Sequence, residues 1–264
     1  MGSPRTRPAA LWIAGAAVAC AIGVGSAVTA GVAAPGETRD ARATAARTVP
    51  PPIASRPTTK EAWTARVLLP VHTRSAPRAS ARKTSKLDVH APYDRGPHVL
   101  LVLGARSTKT HGVWYRVLLD QRPNDAAGWV PAAAVQVTRT PYRVVVRLGS
   151  RTLELVRAGK VVGRWSAAIG TPANPSPTGR FAVSEIVKQA NPSGFYGTYI
   201  ITLTAHSLKL SDFDGGDGRV ALHGTNRASL IGQAVSHGCV RLVNAVATRL
   251  GRTIPAGTPV DILQ

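Results

Sequence analysis

Cysteine is nearly absent from this chain, which contains two in 264 residues. Cys20 lies within residues 9–34, a stretch without any charged side chain, and Cys239 stands alone near the C-terminus. If the N-terminal stretch is removed, Cys239 has no partner and an internal disulfide bond is excluded. An unpaired thiol in an exported protein is a candidate reactive group.

Acidic residues are also scarce, because 13 Asp and Glu stand against 33 Lys and Arg, for a formal net charge of +20. An excess of this kind can favour nucleic acid, since basic proteins release counterions from phosphates. Here the basic residues are scattered singly and form neither a run nor a helical stripe. We therefore expect no nucleic-acid partner and interpret the charge as suited to an anionic cell envelope.

Residues 1–34 have the layout of a secretory signal. Arg5 and Arg7 precede the uncharged stretch, which ends in small residues that offer cleavage sites. Its length also permits an uncleaved anchor, since about 1.5 Å of helix per residue would cross a bilayer core of roughly 30 Å. Cys20 lacks the preceding leucine of a lipoprotein signal. We predict an exported protein of the cell envelope that meets the membrane only through this segment.

Two further regions follow before the second half of the chain. Residues 35–62 are rich in Pro, Ala and Arg and predict a disordered linker, because they hold too little apolar surface to offset chain entropy. Residues 63–138 contain short apolar runs at strand spacing, which favours a small β-barrel. The runs "GVWYRVLL" and "GWVPAAAV" resemble neighbouring strands of bacterial SH3-like domains. The aromatic residues Trp114, Tyr115 and Trp129 either form the barrel core, which we favour, or line a glycan or peptide groove.

Residues 141–264 also follow strand patterns, so the whole chain is predicted to be mainly β with one or two short helices. A hairpin turn is expected at residues 158–160, between two alternating runs. The helix is predicted in "NAVATRL", with Asn244 as its cap and Gly251 at its end.

The stretch "HGTNRASLIGQAVSHGCVRL" concentrates groups that can act together. A thiol is only slightly ionised at neutral pH, so a nucleophilic Cys239 needs a base or a positive field within reach. His237 lies two residues before it and would share its face in an extended chain, whereas a returning loop could deliver His223. Local reasoning leaves both histidines open as the base.

Other residues of this stretch suit the same chemistry. Gly238 removes bulk beside the sulfur and permits unusual dihedral angles, so the amides of Gly238 and Cys239 can point at an oxyanion. Arg241 would lie on the thiol side of an extended chain and could hold a carboxylate with two hydrogen bonds.

Taken together, this stretch resembles the signature of the YkuD-type L,D-transpeptidases, with a histidine, a short loop, Ser-His-Gly-Cys and then Arg. "PSPTGRF" resembles the Pro-Thr-Gly segment of that family, and "GTPVDIL" resembles its closing strand. The resemblance implies a β-rich catalytic domain over residues 141–264. It also implies attack on the tetrapeptide stem of peptidoglycan, before its terminal D-alanine, and transfer to the diaminopimelate amine of a second stem as a 3→3 cross-link. Carbapenems would acylate the same thiol.

The resemblance also assigns roles to residues. Cys239 would be the nucleophile, His223 the general base, and the Gly224 carbonyl would orient the imidazole. The amides of Gly238 and Cys239 would form the oxyanion hole. Substrate placement falls to the remaining polar residues of the signature, Ser236, His237 and Arg241. We expect a monomer that needs no cofactor and no metal.

Alternative functions fit less well. Sortases have their base much further upstream and a Thr-Leu-x-Thr pattern before the cysteine, which this chain lacks. Papain-like wall hydrolases place the cysteine before the histidine, whereas here the histidine comes first. The His-Glu-x-x-His pattern of a metallopeptidase does not occur in the sequence. The same acyl-enzyme could instead serve L,D-carboxypeptidase activity or attachment of wall proteins. A wall-binding protein with a decayed motif is disfavoured because nucleophile and base are both present.

Two further segments are open to interpretation. "SDFDGGDGR" departs from the EF-hand pattern and predicts an acidic turn instead of a calcium loop. Phe195 and Tyr196, between two glycines, form either a flap over the site or a turn with incidental aromatic residues.

Overall fold

The computed structural model describes residues 56–212 and 215–264, all of which belong to one compact unit. The predicted signal or anchor and most of the predicted linker lie outside the described residues. Ala62, the last residue of that predicted linker, is 1% exposed and opens the first strand, so the fold begins before residue 63. Within the two described ranges, no helix is both long and apolar enough to span a bilayer.

The first seven strands form one sheet with the order β3-β2-β6-β5-β4-β1-β7. Their bounds are β1 Ala62–Val67, β2 Val71–Arg74, β3 Lys83–Leu87, β4 Val99–Thr108, β5 Gly112–Leu118, β6 Ala127–Pro131 and β7 Val135–Thr140. A short 3-10 turn, Ala132–Ala134, separates the last two. The SH3-like character of this region stays a prediction.

An eight-stranded sheet follows, with the order β10-β9-β8-β17-β12-β13-β14-β16, beside a two-stranded pair of β11 and β15. The bounds are β8 Tyr142–Arg147, β9 Thr152–Arg157, β10 Lys160–Ser166, β11 Ile169–Gly170, β12 Gly179–Lys188, β13 Tyr199–His206, β14 Arg219–His223, β15 Ala234–Ser236, β16 Val240–Arg241, the helix α1 Asn244–Thr253 and β17 Pro259–Leu263. A second 3-10 turn spans Ala228–Leu230. The mainly β prediction is confirmed.

Strand alternation explains how each sheet builds its core. On β5, Tyr115 and Val117 point into the core of the first sheet while Arg116 between them is exposed. On β14, Val220 and Leu222 enter the core of the second sheet, which leaves the alternate side chains on the opposite face. That opposite face carries the candidate site.

A small apolar cluster joins the two sheets. Ala62, Leu101 and Leu118 of the first sheet are buried against Ala182 of β12. Polar contacts surround this cluster, since Arg122 donates to the Ser207 carbonyl at 2.7 Å and Asn124 exchanges hydrogen bonds with the backbone of His206 at 2.8 and 2.9 Å. The first sheet is therefore held in a fixed position against β12, β13 and the segment that follows β13.

The predicted hairpin and helix are present, but the helix differs in detail. The turn between β9 and β10 has positive φ at Ala158 and Gly159, as a two-residue hairpin requires. The helix begins at Asn244 and the N-cap position falls on Val243, so the prediction of Asn244 as the N-cap is wrong. The helix also continues past Gly251, where a Cβ would lie 2.4 Å from the Tyr199 ring. Gly251 therefore permits close packing instead of ending the helix.

Candidate active site

Four side chains line a cavity of about 170 Å³, here called the cysteine pocket: two lie on β14, one on β16 and one, Cys239, immediately before β16. β14 and β16 are parallel neighbours in which His223 pairs with Arg241. Two residues earlier in each segment, the same register places Ala221 beside Cys239. Side chains two residues apart share a face, and these four residues therefore all point into the pocket. The remaining lining residues are Tyr93, Phe195, Tyr196, Ile200, Thr202, Gly216, Asp217, Arg219, Ser236 and His237.

His223 is held in one orientation at the floor of the pocket. Its Nδ1–H donates to the Gly224 carbonyl at 2.6 Å, because a carbonyl can only accept. This bond leaves Nε2 as the unprotonated nitrogen of the neutral ring. The residue is 1% exposed, and burial lowers its pKa to about 4, helped by the positive charge of Arg241 and opposed by the bond to Gly224. The imidazole is thus a neutral base across the physiological pH range.

Cys239 is half-buried and lies diagonally across from His223. Burial raises the pKa of its thiol, although the Ala221 backbone and the Arg241 charge act in the opposite direction. Within the described residues no hydrogen bond links the thiol to the imidazole. The resting pair is therefore a neutral thiol beside a neutral imidazole, and no preformed thiolate is present.

Arg241 brings a buried positive charge to the pocket without a carboxylate partner among the described residues. The residue is 7% exposed, and its guanidinium lies 4.8 Å from the centre of the Phe195 ring. Its Nε is buried without a hydrogen-bond partner in the part of the chain that the structure describes. A buried guanidinium of this kind can accept an external carboxylate through paired hydrogen bonds.

Ser236 organises the turn that presents the thiol. Its hydroxyl donates to the Cys239 carbonyl at 2.6 Å and accepts from the Gly238 amide at 3.1 Å. Gly238 has φ of 119°, a conformation that side-chain-bearing residues rarely adopt. The Gly238 amide predicted for the oxyanion hole thus already donates a hydrogen bond to the Ser236 hydroxyl. To stabilise an oxyanion, this amide would have to give up that bond. The roles predicted for Gly238 and Ser236 stay predictions, as does that of the exposed pocket residue His237.

Phe195 and Tyr196 cover His223 from above. Their ring centres lie 5.9 and 5.1 Å from the imidazole centre and 5.0 Å from each other. Gly197 then turns the chain with φ of 65°, and a Cβ there would lie 2.6 Å from the backbone of Gly224. The two aromatic residues therefore belong to the wall of the pocket, in contrast to the alternative of incidental aromatic residues in a turn.

Asn244 has a structural role that the sequence did not indicate. Its Oδ1 accepts from the Thr225 amide at 3.0 Å, and its Nδ2 donates to the Pro192 carbonyl at 3.1 Å. A Cβ on Gly224 would lie 2.2 Å from that Oδ1. Glycine at 224 therefore lets Asn244 join the segment that follows His223 to the loop that contains Pro192.

The far wall of the pocket is built from both sheets and was missed in the sequence. Arg219 lies on the His223 face of β14 and forms a buried ion pair with Asp120 of the loop that follows β5. Tyr93, also from the first-sheet region, places its ring 4.7 Å from the Arg219 guanidinium. The carboxylate of Glu185 accepts from the Tyr93 and Asp94 amides at 3.2 and 2.5 Å, which fixes the position of this loop.

Asp217, in the predicted acidic turn, belongs to this wall. Its carboxylate accepts from Arg219 at 3.1 Å and pairs with His206 at 3.0 Å. Burial raises the pKa of Asp217, but the hydrogen bonds and charges of Arg219 and His206 outweigh this effect and bring it down to about 2. The place of Arg219 could have been predicted from the sequence, because it lies four residues before His223 in the same strand and therefore on the same face. Tyr93 had none, because its place depends on packing between the sheets.

Comparison with known proteins matches the second half of the chain to one family. The family model of the L,D-transpeptidase catalytic domain, YkuD, matches residues 141–262. The putative L,D-transpeptidase YkuD of Bacillus subtilis is 30% identical over 151 residues, which cover 55% of this chain and 84% of that protein. The putative L,D-transpeptidase YkuD of Bacillus licheniformis is 34% identical over 122 residues, but the match spans only 66% of its length and 46% of this chain. A solved L,D-transpeptidase from Mycobacterium smegmatis covers 81% of this chain and 96% of its own, at 18% identity and a TM-score of 0.41.

Proposed function

Because the chain belongs to the YkuD family of L,D-transpeptidase catalytic domains, we propose that it transfers a peptidoglycan stem through a thioester on Cys239, with His223 as the base. One observation carries this proposal. His223, Cys239 and Arg241 line the same pocket, and the bond to Gly224 leaves the Nε2 lone pair of His223 available. A base, a nucleophile and a carboxylate receptor are the groups that acyl transfer from a peptide terminus needs.

In the first step the thiol proton passes to Nε2 as the sulfur attacks the carbonyl carbon that precedes the terminal D-alanine. The tetrahedral intermediate collapses when its C–N bond breaks, and the imidazolium returns the proton to the departing D-alanine amine. A thioester remains on Cys239. Because burial disfavours the charged forms of both groups, the thiolate–imidazolium pair is not the resting state, and the thiol proton passes to Nε2 in the course of the reaction.

In the second step an acceptor amine attacks the thioester. His223 takes a proton from the amine and the sulfur leaves, to be reprotonated as the thiol. When the acceptor is the diaminopimelate amine of a second stem, the product is a 3→3 cross-link. Arg241 supports a donor with a free carboxylate, since its buried guanidinium has no carboxylate partner among the described residues.

The covalent step is tested with meropenem, whose β-lactam carbonyl should acylate the same thiol. Intact-mass spectrometry of the purified protein should show one adduct, mapped to Cys239 by peptide digestion. Cys239→Ala should show none, whereas Cys239→Ser controls for loss of the side chain. An adduct that survives in Cys239→Ala would refute the assignment.

The acceptor is tested separately by muropeptide analysis after incubation with tetrapeptide-containing peptidoglycan. A 3→3 dimer is expected. Tripeptides without dimers would identify an L,D-carboxypeptidase that uses water, and stems joined to protein amines would indicate attachment of wall proteins. All three results share one acyl-enzyme, so the meropenem experiment stays valid in each case.

We also propose that the protein acts on the outer side of the cytoplasmic membrane. The proposal rests on the arginines and the uncharged stretch of residues 1–34 and on the location of the substrate. Fractionation of cells that produce the tagged protein tests it, with N-terminal sequencing to distinguish cleavage from anchoring. Recovery of intact protein in the cytoplasm would contradict it.

A further inference from the structure

We propose that the outer face of the first sheet binds an anionic polysaccharide, at a site separate from the cysteine pocket. The site is a groove of about 770 Å³, here called the arginine groove. Its lining is basic, aromatic and small, and it includes no acidic residue: Arg56, Pro57, Leu103, Gly104, Ala105, Arg106, Arg116, Trp129 and Arg180.

Strand pairing explains why these side chains converge. Gly104 of β4 pairs with Arg116 of β5, and Arg116 pairs with Trp129 of β6. Paired residues of antiparallel strands point to the same side of a sheet. The alternate residues, Tyr115 and Val130, belong to the core of the first sheet. Arg116 and Trp129 therefore lie side by side on the outer face.

This arrangement resolves the two interpretations of the aromatic residues. Tyr115 and Trp114 are buried, 2% and 5% exposed, and have structural roles. Trp129 is half-buried and lines the groove. An indole that is covered on one side offers a flat apolar surface on the other, which suits the C–H face of a pyranose ring.

Charge in the groove indicates that the sugar carries acid groups. Arg106 and Arg116 are exposed, and neither makes an ion pair or a side-chain hydrogen bond with any described residue. Arg180, which also lines the groove, is paired with Asp261. Arg143, Arg164 and Arg219, elsewhere in the fold, are each paired with a carboxylate. Guanidinium groups left unpaired around one groove favour carboxylate or phosphate ligands.

The floor of the groove gives a way to block it. Gly104 does not have a left-handed φ, and a Cβ there would meet no atom within 4 Å. A larger side chain at this position should therefore fold normally and fill the groove. Nucleic acid is a less suitable occupant, because single strands bind to successive aromatic platforms and this groove supplies one.

Binding is measured by isothermal titration calorimetry at fixed ionic strength, with decameric oligogalacturonate as the carboxylate probe and a glucosylated poly(glycerol phosphate) as the phosphate probe. We expect binding of at least one probe, and Trp129→Ala, Arg116→Ala and Gly104→Leu should each weaken it about tenfold. Arg252→Ala removes an equal charge from an exposed helix position and should change binding less than twofold. The urea unfolding midpoint and the circular dichroism spectrum of all four variants should match those of the unaltered protein, which shows that they are folded without relying on the catalytic proposal.

Probes that lack either the charge or the sugar test whether the groove recognises both features of an anionic polysaccharide. Neutral dextran should not bind measurably, and polyphosphate should bind less tightly than the sugar probes. The proposal is overturned by binding that survives Trp129→Ala and Gly104→Leu, by polyphosphate or the oligonucleotide dT10 binding as tightly as the sugars, or by no binding of either sugar probe.

Discussion

The two ends of the cysteine pocket differ in whether their buried ionisable groups are paired with an opposite charge. At the thiol end, burial raises the pKa of Cys239 and lowers that of His223 to about 4, so both groups are neutral at rest. At the far end, Asp120 and Asp217 pair with Arg219, and the pKa of Asp217 falls to about 2. Ion pairs such as those of Arg219 hold segments of the chain in place. A neutral thiol and a neutral imidazole that line the same pocket can instead exchange a proton. Under the proposed function, the thiol end carries the reaction, and the ion pairs of the far end hold the two sheets together.

The largest expected effect is at the thiol end. Replacing His223 with Ala removes the oriented base and should lower the rate of transpeptidation by about 10³-fold or more. His237 is exposed at the pocket edge, and His237→Ala should cost less than about tenfold, as for a residue that only helps to place substrate. Steady-state turnover with a tetrapeptide donor measures both variants. The reverse ranking would move the base to His237.

At the far end, the expected effect is on stability. Asp120→Ala removes the buried partner of the Arg219 guanidinium and leaves it only the half-exposed Asp217, so the variant should lose about 2–3 kcal/mol, less than for a fully unpaired buried charge. The matched control is Glu61→Ala, which breaks the exposed Arg139 ion pair and should cost less than about 1 kcal/mol. Urea unfolding gives both values. Equal losses would mean that the Asp120 pair does not hold the two sheets together.

The same comparison predicts two separate pH windows for stability. The His223 pKa is lowered on folding, so the unfolded chain binds the proton more readily and stability falls as the pH drops from about 6.5 to about 4. The loss should approach roughly 3 kcal/mol at the lower limit. The Asp217 pKa is also lowered on folding, but the pH range in which this group affects stability is lower than that of His223. Its carboxylate loses its stabilising pairs as the pH falls from about 4 towards 2.

These windows are separated by comparing variants in urea unfolding at several pH values. His223→Asn should remove the pH dependence between 6.5 and 4 and keep the part below 4. Asp217→Asn should do the opposite. If His223→Asn leaves the upper window unchanged, the imidazole is not held in its neutral form by burial.

The difference between the two ends also explains what the sequence could predict. The thiol end comes from one short segment, so the spacing of an extended chain predicted Arg241 on the same side as Cys239. It left His223 and His237 both open as the base, and the resemblance to the family chose His223. Strand periodicity likewise predicted the mainly β fold and the hairpin at residues 158–160. These features depend on local order along the chain.

The far end depends on contacts between distant segments. Asp120 reaches Arg219 across 99 positions, and Glu185 fixes the Tyr93 loop across 92. Neither pairing leaves a local pattern. The helix boundaries failed for a related reason, since tertiary contacts engage Asn244 with Thr225 and place Gly251 against Tyr199. Asparagine is often found at helix starts and glycine at helix ends, but here Asn244 makes tertiary hydrogen bonds and Gly251 permits close packing.

The smallest effect tests whether the first sheet contributes to substrate selection. The Tyr93 ring stacks on Arg219, and its hydroxyl interacts electrostatically with Asp217. Tyr93→Ala should remove this wall and raise KM for a tetrapeptide donor several-fold, with kcat changed less than about twofold, because the reacting groups lie at the other end. Tyr93→Phe keeps the ring and should retain most of the affinity. A fall in kcat with unchanged KM, or equal effects of Ala and Phe, would contradict the idea that this aromatic wall binds substrate.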